Sequence, residues 1–303
     1  MFVSCNKSKI LNWKDYTLLI PAVSVANVGQ LATDLVISTL YMSKVGSLYD
    51  SSIIPLIGND PFAAQGASNV CNLSTAAEVY EDTSRHLVAV QLRSALVQGC
   101  RQQFLTRLME WIESCGFRQV IILTSSYAHE RRDEQLFGPQ FRYVSSPKLD
   151  STEDGLRLSD TALKFTKLER RPDHVYDYAT RQSSHGDEEE VTSVGEEPAQ
   201  DAEEEAVRQW SKGLFVPGGG YAKELLQKCM HRGVAAAVLL MFVSEGDNAL
   251  DAIRLATHLN QWQKWIDLTT AAQQSPSSGH VHGWKQPSSW KLMFGSGFSQ
   301  SLF

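Results

Sequence analysis

The sequence predicts an α/β fold, because three stretches each place a helix next to an apolar strand. Residues 16–46 have the order strand, turn, helix and strand. A helix over about 101–114 is followed at once by the apolar run 120–123, and a helix after residue 220 precedes the apolar run 234–243. Strands that alternate with helices in this way are typical of a sheet with parallel pairing that helices cover.

The first unit has the clearest pattern. A short apolar run ends at Pro21, which favours a buried strand over a helix. Asn27 then provides a predicted N-terminal cap for the helix. Apolar or small side chains follow at the spacing of one helix face, namely Val28, Leu31, Ala32, Leu35, Val36, Thr39 and Leu40. The next strand is predicted at 44–49.

Further strands are predicted around the second helix. Residues 53–57 have a strand-like composition, and the runs 78–80 and 87–92 are predicted to form a hairpin, which makes the sheet mixed. The second helix turns five apolar side chains to one face: Phe104, Leu105, Leu108, Trp111 and Ile112. Gly116 follows as the predicted left-handed C-cap.

An acidic insertion is predicted between the second and third units. A short strand is expected at 141–144, and little between 150 and 210 needs to fold apart from one element at about 158–168. Residues 182–207 contain ten acidic residues and no Lys or Arg, in a chain of net charge −6. This composition is typical of a solvated, mobile segment. An acidic arm that binds a basic partner is the alternative, and it has only the charge in its favour.

The third unit is predicted from residue 214 onward. Residues 214–216 are expected to form a short strand, and the turn 217–220 (Pro-Gly-Gly-Gly) leads into a helix. The last helix is predicted to begin at Asp247 or Asn248 and to end near Ile266. Its apolar side chains cover most of its circumference, which favours either deep burial or a place in an interface.

The chain ends in an apolar segment behind a linker. Residues 273–287 are rich in Ser, Gly, His and Pro, and four aromatic residues follow, namely Trp290, Phe294, Phe298 and Phe303. Four exposed aromatic side chains are costly to leave in water. We therefore expect this end to pack on a surface.

The sequence favours a binding protein over an enzyme. The glycine loop 217–220 lies where backbone N–H groups can bind phosphate, but it matches neither phosphate-binding pattern, so close packing of a tight turn is the preferred interpretation. Ser125, Ser126 and His129 follow a buried strand, where α/β enzymes bind ligands, but the sequence has no nucleophile elbow.

Metal, disulfide and membrane functions have little support. His280 and His282 have the spacing of metal ligands but no acidic or cysteine neighbours. The five cysteines are scattered without a CxxC pair, which predicts neither disulfides nor a zinc site. The N-terminus lacks the order of a signal peptide, and the longest apolar run is too short for a bilayer. We expect a soluble intracellular protein without metal or cofactor.

Several long motifs resemble the proteasome assembly chaperone family. They lie at 17–40, 77–80, 92–94, 141–143, 216–220, 242–248 and 287–297. The resemblance covers about 1–147 and 213–303 and fails across 150–210, where this chain is longer and more acidic than the family.

The resemblance implies a three-layer αβα sandwich with a mixed, mostly parallel sheet, related to nucleoside phosphorylases but without their activity. Together with the composition of the chain, we expect a single domain over 1–303, interrupted by a flexible acidic insertion at about 150–210 and ending in a tail at about 273–303. The implied function is a heterodimer with proteasome assembly chaperone 1 that binds proteasome α subunits. This pair promotes α-ring assembly and prevents premature α-ring dimers, in the cytoplasm and nucleus.

The resemblance also implies a binding site at the C-terminus. Many proteasome binders insert a hydrophobic–Tyr–X end into pockets between α subunits. Here Leu302 replaces the tyrosine and Phe303 supplies the carboxylate, so these two residues are the expected α-ring contacts. Packing of 290–298 on the domain is the alternative for the apolar end. The alternative functions are a phosphorylase-like enzyme that binds phosphate at the 217–220 loop and a homodimeric binding module.

Overall fold

The structure is a computed structural model that describes residues 1–6, 11–63, 72–171, 198–267 and 280–292. In these ranges the strands are β1 (Phe2–Ser4), β2 (Thr17–Pro21), β3 (Ser43–Leu48), β4 (Ile57–Asn59), β5 (Leu73–Thr75), β6 (Ala77–Asp82), β7 (Leu87–Leu92), β8 (Gln119–Tyr127), β9 (Phe141–Ser145), β10 (Ala236–Val243), β11 (His280–Val281) and β12 (Trp284–Lys285). The α-helices are α1 (Val28–Leu40), α2 (Arg101–Cys115), α3 (Asp133–Leu136), α4 (Pro147–Asp150), α5 (Glu153–Leu158), α6 (Pro198–Ser211), α7 (Ala222–His231) and α8 (Ala249–Gln263).

Eight strands form one mixed sheet in the order β1-β3-β6-β7-β2-β8-β10-β9. The central strands β7, β2, β8 and β10 are parallel to one another. The predicted hairpin β6–β7 is antiparallel, and β9 closes the sheet antiparallel to β10. Because β3 is antiparallel to β6, it runs with the central strands. Five of the eight strands therefore run in one direction, which confirms the mixed, mostly parallel sheet.

Alternate side chains of the central strands point into two separate cores. Leu18 and Ile20 of β2 pack on the side of α2 and α7, whereas Leu19 packs on the side of α1 and α8. All three side chains are fully buried. Because successive strand residues face opposite ways, helices on both faces are needed to cover them. The three-layer αβα arrangement is confirmed.

The helix ends confirm one predicted cap and correct another. Gly116 ends α2 in the left-handed conformation, as predicted, with its N–H toward the last carbonyls of the helix. Asn27 precedes α1 but makes no side-chain capping bond, because it lies in a 3-10 turn with a φ of 55°. Asp247 accepts from the N–H of Ala249 at 3.1 Å, so it supports the start of α8.

The predicted strands differ from the observed ones at three places. Residues 53–56 form only an isolated bridge, between Ile53 and Leu96, before β4 begins. Residues 214–216 belong to no strand, because the N–H of Leu214 closes a turn onto Ser211. Strand β8 is longer than expected and continues through both serines, 125 and 126.

The predicted insertion is folded at both of its ends. Residues 166–168 run beside β9 through a parallel bridge between Tyr143 and Lys167. At the other end, α6 packs against α7 and buries Val207. The boundaries 150–210 were therefore too wide, because apolar contacts fix both ends to the domain. Residues 172–197, with much of the acidic run, lie outside the described ranges.

The two ends of the insertion meet at one point, which we call the neck (residues 170–171 and 212–215). The N–H of Arg171 donates to the carbonyl of Gly213 at 2.8 Å, and the Arg170 guanidinium donates to the carbonyl of Lys212 at 2.8 Å. The Arg171 guanidinium also stacks 3.2 Å from the ring centre of Phe215. The chain therefore leaves and re-enters the domain at the same place.

Candidate functional site

The carboxyl ends of the parallel strands form the edge at which α/β folds bind ligands. Here the glycine loop lies across that edge. The N–H of Val25 donates to the carbonyl of Gly218 at 2.8 Å, and the N–H of Tyr127 donates to the carbonyl of Pro217 at 3.2 Å. The loop thus presents carbonyl oxygens to the strand ends, whereas a phosphate would need N–H donors there.

Close packing explains the glycines of this loop. Gly218 and Gly220 have φ values of 75° and 60°, a region that suits glycine. A Cβ on Gly220 would lie 2.2 Å from the carbonyl oxygen of Val23, and one on Gly219 would lie 2.4 Å from a methyl group of Val216. The interpretation of the loop as a close-packed turn is confirmed.

The polar side chains at the strand ends are used inside the fold. The Thr124 hydroxyl donates to the carbonyl of Gly219 at 2.9 Å, and the Ser126 hydroxyl donates to the carbonyl of Pro217 at 2.8 Å. Ser125 is fully buried, and its hydroxyl bonds Ser24 at 2.8 Å. Both serines were expected after the strand, but they lie within β8, where Ser126 holds the glycine loop and Ser125 holds the turn that precedes α1.

His129 does not complete a hydrolase site with these serines. Its side chain is 72% exposed and lies beside the ring of Tyr127, with 5.0 Å between the ring centres. Ser125 and Ser126 are fully buried. The structure therefore does not bring the predicted residues together in an arrangement suited to nucleophilic catalysis.

Two residues after the glycine loop, Tyr221 and Lys223, fix the start of α7 to the end of β2 and to the segment before the loop. The Tyr221 hydroxyl donates to the carbonyl of Pro21 at 2.7 Å, and burial raises the pKa of this tyrosine. The ammonium of Lys223 donates to the carbonyl of Leu214 at 2.9 Å, and burial lowers the pKa of this lysine. Both polar groups serve the fold, which agrees with the closed geometry of the loop.

A cleft of about 450 Å³ lies between the glycine loop and the start of α2. Its lining includes Leu96, Val97 and Tyr221, and the ion pair Arg101–Glu224, 3.1 Å between nitrogen and oxygen, crosses from α2 to α7. Since that charged pair is already matched, the cleft suits an apolar contact better than a phosphate.

Four exposed apolar side chains lie on the segment at the edge of this cleft and on the segment that pairs with it, and we call them the rim patch: Ile54, Leu56, Ile57 and Val97. Ile54 and Leu56 lie on one extended segment, and Val97 lies on the segment that pairs with it. The N–H of Ile54 donates to the carbonyl of Ala95 at 3.1 Å, and the N–H of Val97 donates to that of Ser52 at 2.8 Å. Ile57 is 69% exposed. Contiguous exposed apolar groups are typical of protein interaction sites.

Arg107 of α2 holds the segment that precedes Ile54 of the rim patch. Its guanidinium donates to Asp50 with both Nε and Nη2, at 2.5 and 2.6 Å, and to the Ser52 hydroxyl at 2.8 Å. Burial raises the pKa of Asp50, but hydrogen bonds from Arg107 and Ser52 outweigh it and lower the pKa overall. The segment that bears Ile54 is therefore fixed to the second helix.

Two other surfaces are covered within the chain. Part of the apolar surface of α8 is covered by Trp284, which is fully buried against α1 and α8. The open edge of β9 is paired with residues 166–168. Of the two interpretations of the apolar last helix, the structure supports deep burial, because the chain's own C-terminal segment covers one of its faces.

The predicted C-terminal contacts, Leu302 and Phe303, lie outside the described residues. The structure places Trp290 in the core, so the start of the apolar end packs back on the domain. Among the described residues, no group of His, Cys, Asp and Glu side chains is arranged to hold a metal ion. The described helices also include none that has the length and apolar character to cross a bilayer.

Comparison with known proteins gives a family and a fold. The model of the PAC2 family matches residues 18–264. Proteasome assembly chaperone 2 of Homo sapiens is 38% identical over 303 residues, which is 100% of each chain. The Xenopus laevis protein of that name is 37% identical over 287 residues, which is 95% of this chain and 94% of the other.

Two solved structures share the fold. Pyrococcus furiosus PbaA, described as an archaeal homolog of proteasome-assembly chaperone, aligns with a TM-score of 0.53 at 13% identity over 85% of each chain. PbaB of the same organism, described as an archaeal proteasome activator, aligns with a TM-score of 0.52 at 15% identity over 89% of this chain and 91% of the other.

Proposed function

Because the chain belongs to the PAC2 family, we propose that it is a non-catalytic chaperone of proteasome assembly. It forms a heterodimer with proteasome assembly chaperone 1, binds proteasome α subunits, promotes assembly of the α ring and prevents off-pathway α-ring dimers. One observation carries this proposal: the similarity to proteasome assembly chaperone 2 extends over 100% of both chains. An alignment that spans both chains from end to end includes the chain ends and the strand-edge loops as well as the core.

The geometry of the strand edge supports a scaffold rather than an enzyme. The glycine loop offers carbonyl oxygens to the strands, and the hydroxyls of Thr124 and Ser126 are bonded to that loop. An enzyme that binds phosphate there needs free N–H groups that point to solvent. The phosphorylase-like alternative therefore has no specific observation in its favour.

The rim patch is the surface proposed to face the heterodimer partner. It supplies the exposed apolar groups that an interface core needs, whereas α8 is covered by Trp284. Obligate heterodimers bury more than about 2,000 Å² in total and are more apolar than transient complexes. We therefore expect the isolated chain to be poorly soluble and to be stabilised by its partner.

The α ring is proposed to bind the last two residues, Leu302 and Phe303. The support is the apolar end of the sequence and the terminal carboxylate, which a lysine in an α-subunit pocket can pair with. We propose that the protein acts in the cytoplasm and the nucleus, because the α ring is assembled there.

Native mass spectrometry after co-expression with proteasome assembly chaperone 1 and α subunits tests the proposal. The expected species is a 1:1 heterodimer bound to an α-ring intermediate. A stable monomer or homodimer that does not bind α subunits would contradict the proposal. A parallel titration with phosphate and nucleosides should show no binding, and saturable binding would favour the enzyme.

A further inference from the structure

A second cavity lies at the opposite end of the sheet from the glycine loop, and we call it the amino-end cavity. Its volume is about 310 Å³, at the lower end of the range of roughly 300–1,000 Å³ that is typical of small-molecule sites. The sheet contributes Gln119, the first residue of β8, and Ala235, the residue before β10. The segment of α4 and α5 contributes the rest of the lining, from Leu149 to Arg157. The cavity is therefore separate from the strand edge that carries the glycine loop.

A buried aspartate holds two arginines at the amino-end cavity. Asp154 is 6% exposed, and the indole N–H of Trp262 in α8 donates to its carbonyl at 2.8 Å. The Oδ2 atom of Asp154 lies 3.2 Å from Nη2 of Arg118, and its Oδ1 atom accepts from Nη2 of Arg157. Both carboxylate oxygens are thus used, and the two guanidinium groups leave one positive charge in excess.

The two guanidinium groups keep N–H donors for a ligand. Each guanidinium has five N–H groups, and the side chains of Arg118 and Arg157 are 54% and 49% exposed. Besides Asp154, Arg118 also donates from Nη2 to the Thr17 hydroxyl at 3.3 Å. Guanidinium groups with spare donors bind the two oxygens of a carboxylate well, because the hydrogen bonds are charge-assisted. This part of the cavity therefore suits a carboxylate.

Two acceptors of the same cavity have no donor among the described residues. The Gln119 side chain is 1% exposed, and its Nε2 donates to the Thr17 hydroxyl at 3.1 Å and to Gln263 at 3.4 Å. Its Oε1 is buried and accepts from no described group. Glu153 is exposed at the start of α5, and no ion pair within the described ranges includes it. An unpaired buried amide oxygen costs free energy, which an N–H group of a ligand would recover.

We propose that the amino-end cavity binds a free α-amino acid in its zwitterionic form. Arg118 and Arg157 hold the carboxylate of the ligand. Its ammonium group donates to Glu153 and to Oε1 of Gln119. The lining carries two positive and two negative side chains, so a neutral molecule with separated charges matches it better than a free anion or a free cation. This inference goes beyond the proposed function and does not depend on it.

Isothermal titration calorimetry of the full-length chain, alone or with its co-expressed partner, tests the ligand class. The probes are the standard L-amino acids, each at millimolar concentration, and we expect saturable binding of at least one. The N-acetyl derivative of that amino acid lacks the ammonium group, and its carboxamide derivative lacks the carboxylate. Each derivative should bind at least about ten-fold more weakly, because each loses charge-assisted hydrogen bonds.

The variant Arg157→Gln tests the position of the site. It should weaken binding of the amino acid at least about ten-fold, because a hydrogen bond between charged groups is lost. Arg254→Gln is the matched control and should bind like the wild type. Arg254 is 59% exposed and pairs at 3.1 Å with Asp251, three residues earlier, as Arg157 pairs with Asp154, but it lies outside the cavity.

The variant Glu153→Gln tests recognition of the ammonium group. It should weaken binding of the amino acid and leave binding of the N-acetyl derivative unchanged, because only the amino acid carries the ammonium. Thermal unfolding of the three variants checks that each still folds, which the exposure of the three side chains favours.

Three results would overturn the inference. Absence of saturable binding by any standard amino acid would leave Arg118, Asp154 and Arg157 with a structural role alone. Equal affinity for the amino acid and its N-acetyl derivative would show that an oxyanion is bound without recognition of the ammonium. Equal affinity of the Arg157→Gln and Arg254→Gln variants would place the binding outside this cavity. None of these results bears on the proposed function in proteasome assembly, which concerns other surfaces of the chain.

Discussion

The ring of His258 in α8 lies against that of Phe141 in β9, with 4.4 Å between the ring centres. Phe165 packs edge-on against the same imidazole at 5.3 Å. Burial lowers the pKa of His258, although a hydrogen bond with Gln261 opposes the effect. The neutral imidazole is therefore part of the packing between the last helix and the edge of the sheet.

This contact predicts a loss of stability in mild acid. The unfolded histidine binds a proton near its ordinary pKa of about 6.5, and the folded one binds it at a lower pH. The unfolded state thus holds more protons below about pH 6.5, and the free energy of unfolding falls as the pH drops toward 5. Urea unfolding from pH 8 to 5 measures this slope.

The variant His258→Gln should have a shallower slope over the same range, because the titrating group is gone. His129→Gln is the control, since that side chain is exposed, and it should keep the wild-type slope. An unchanged slope in His258→Gln would show that other groups cause the pH dependence.

A methyl group on Gly220 should destabilise the fold. The residue has a φ of 60°, and its added Cβ would lie 2.2 Å from the Val23 carbonyl oxygen. Strain of this kind costs about 1–3 kcal/mol, so Gly220→Ala should lower the free energy of unfolding by at least that amount. Gly58→Ala, where a Cβ meets nothing within 4 Å, should change it by less than about 0.5 kcal/mol. Urea denaturation of both variants provides the comparison.

Replacement of residues 172–197 by a short linker should leave the domain intact. The neck joins Arg171 to Gly213, so the fold does not depend on the length of chain between them. Helix α6 has 14 residues and spans about 21 Å, so about ten Gly and Ser residues suffice to reach its start. Loop entropy then changes stability by less than about 1 kcal/mol, measured by thermal unfolding. A loss above about 2 kcal/mol would mean that the replaced residues stabilise the fold.

A charge in the rim patch should weaken pairing with the partner while the chain still folds. Ile57 is 69% exposed, so Ile57→Glu costs the monomer little, but an unpaired charge in an apolar interface is strongly unfavourable. We expect at least about ten-fold weaker affinity for proteasome assembly chaperone 1. Leu156→Glu, at a site of 63% exposure on α5, is the matched control. Equal loss in both variants would argue against the rim patch as the interface.

Local periodicity was sufficient to predict much of the fold. The helix Val28–Leu40 follows from its apolar spacing, and the end of α2 follows from Gly116, because both depend on residues close in sequence. Polar strand residues were harder to place. Ser125 and Ser126 belong to a buried strand because their hydroxyls reach Ser24 and Pro217, each more than 90 residues away.

The fixed place of residues 280–292 could not be predicted from local pattern for the same reason. A stretch rich in Ser, Gly, His and Pro has the composition of a linker, and only the packing of Trp284 against Thr257 and the contact of Lys285 with Thr39 give it a fixed place. Its two tryptophans were the available signal. The expected tail contact, Leu302 and Phe303, remains a prediction because it lies outside the described residues.

The place of β10 in the sheet has a consequence for synthesis on the ribosome. Strand β10 pairs with β8 on one side and β9 on the other, yet 90 residues separate the end of β9 from the start of β10. At the usual translation rate of about 5–20 residues per second, about 5–20 s pass between the synthesis of β9 and the synthesis of β10. The nascent chain therefore passes through an incomplete sheet, in which β8 and β9 still lack the strand that joins them.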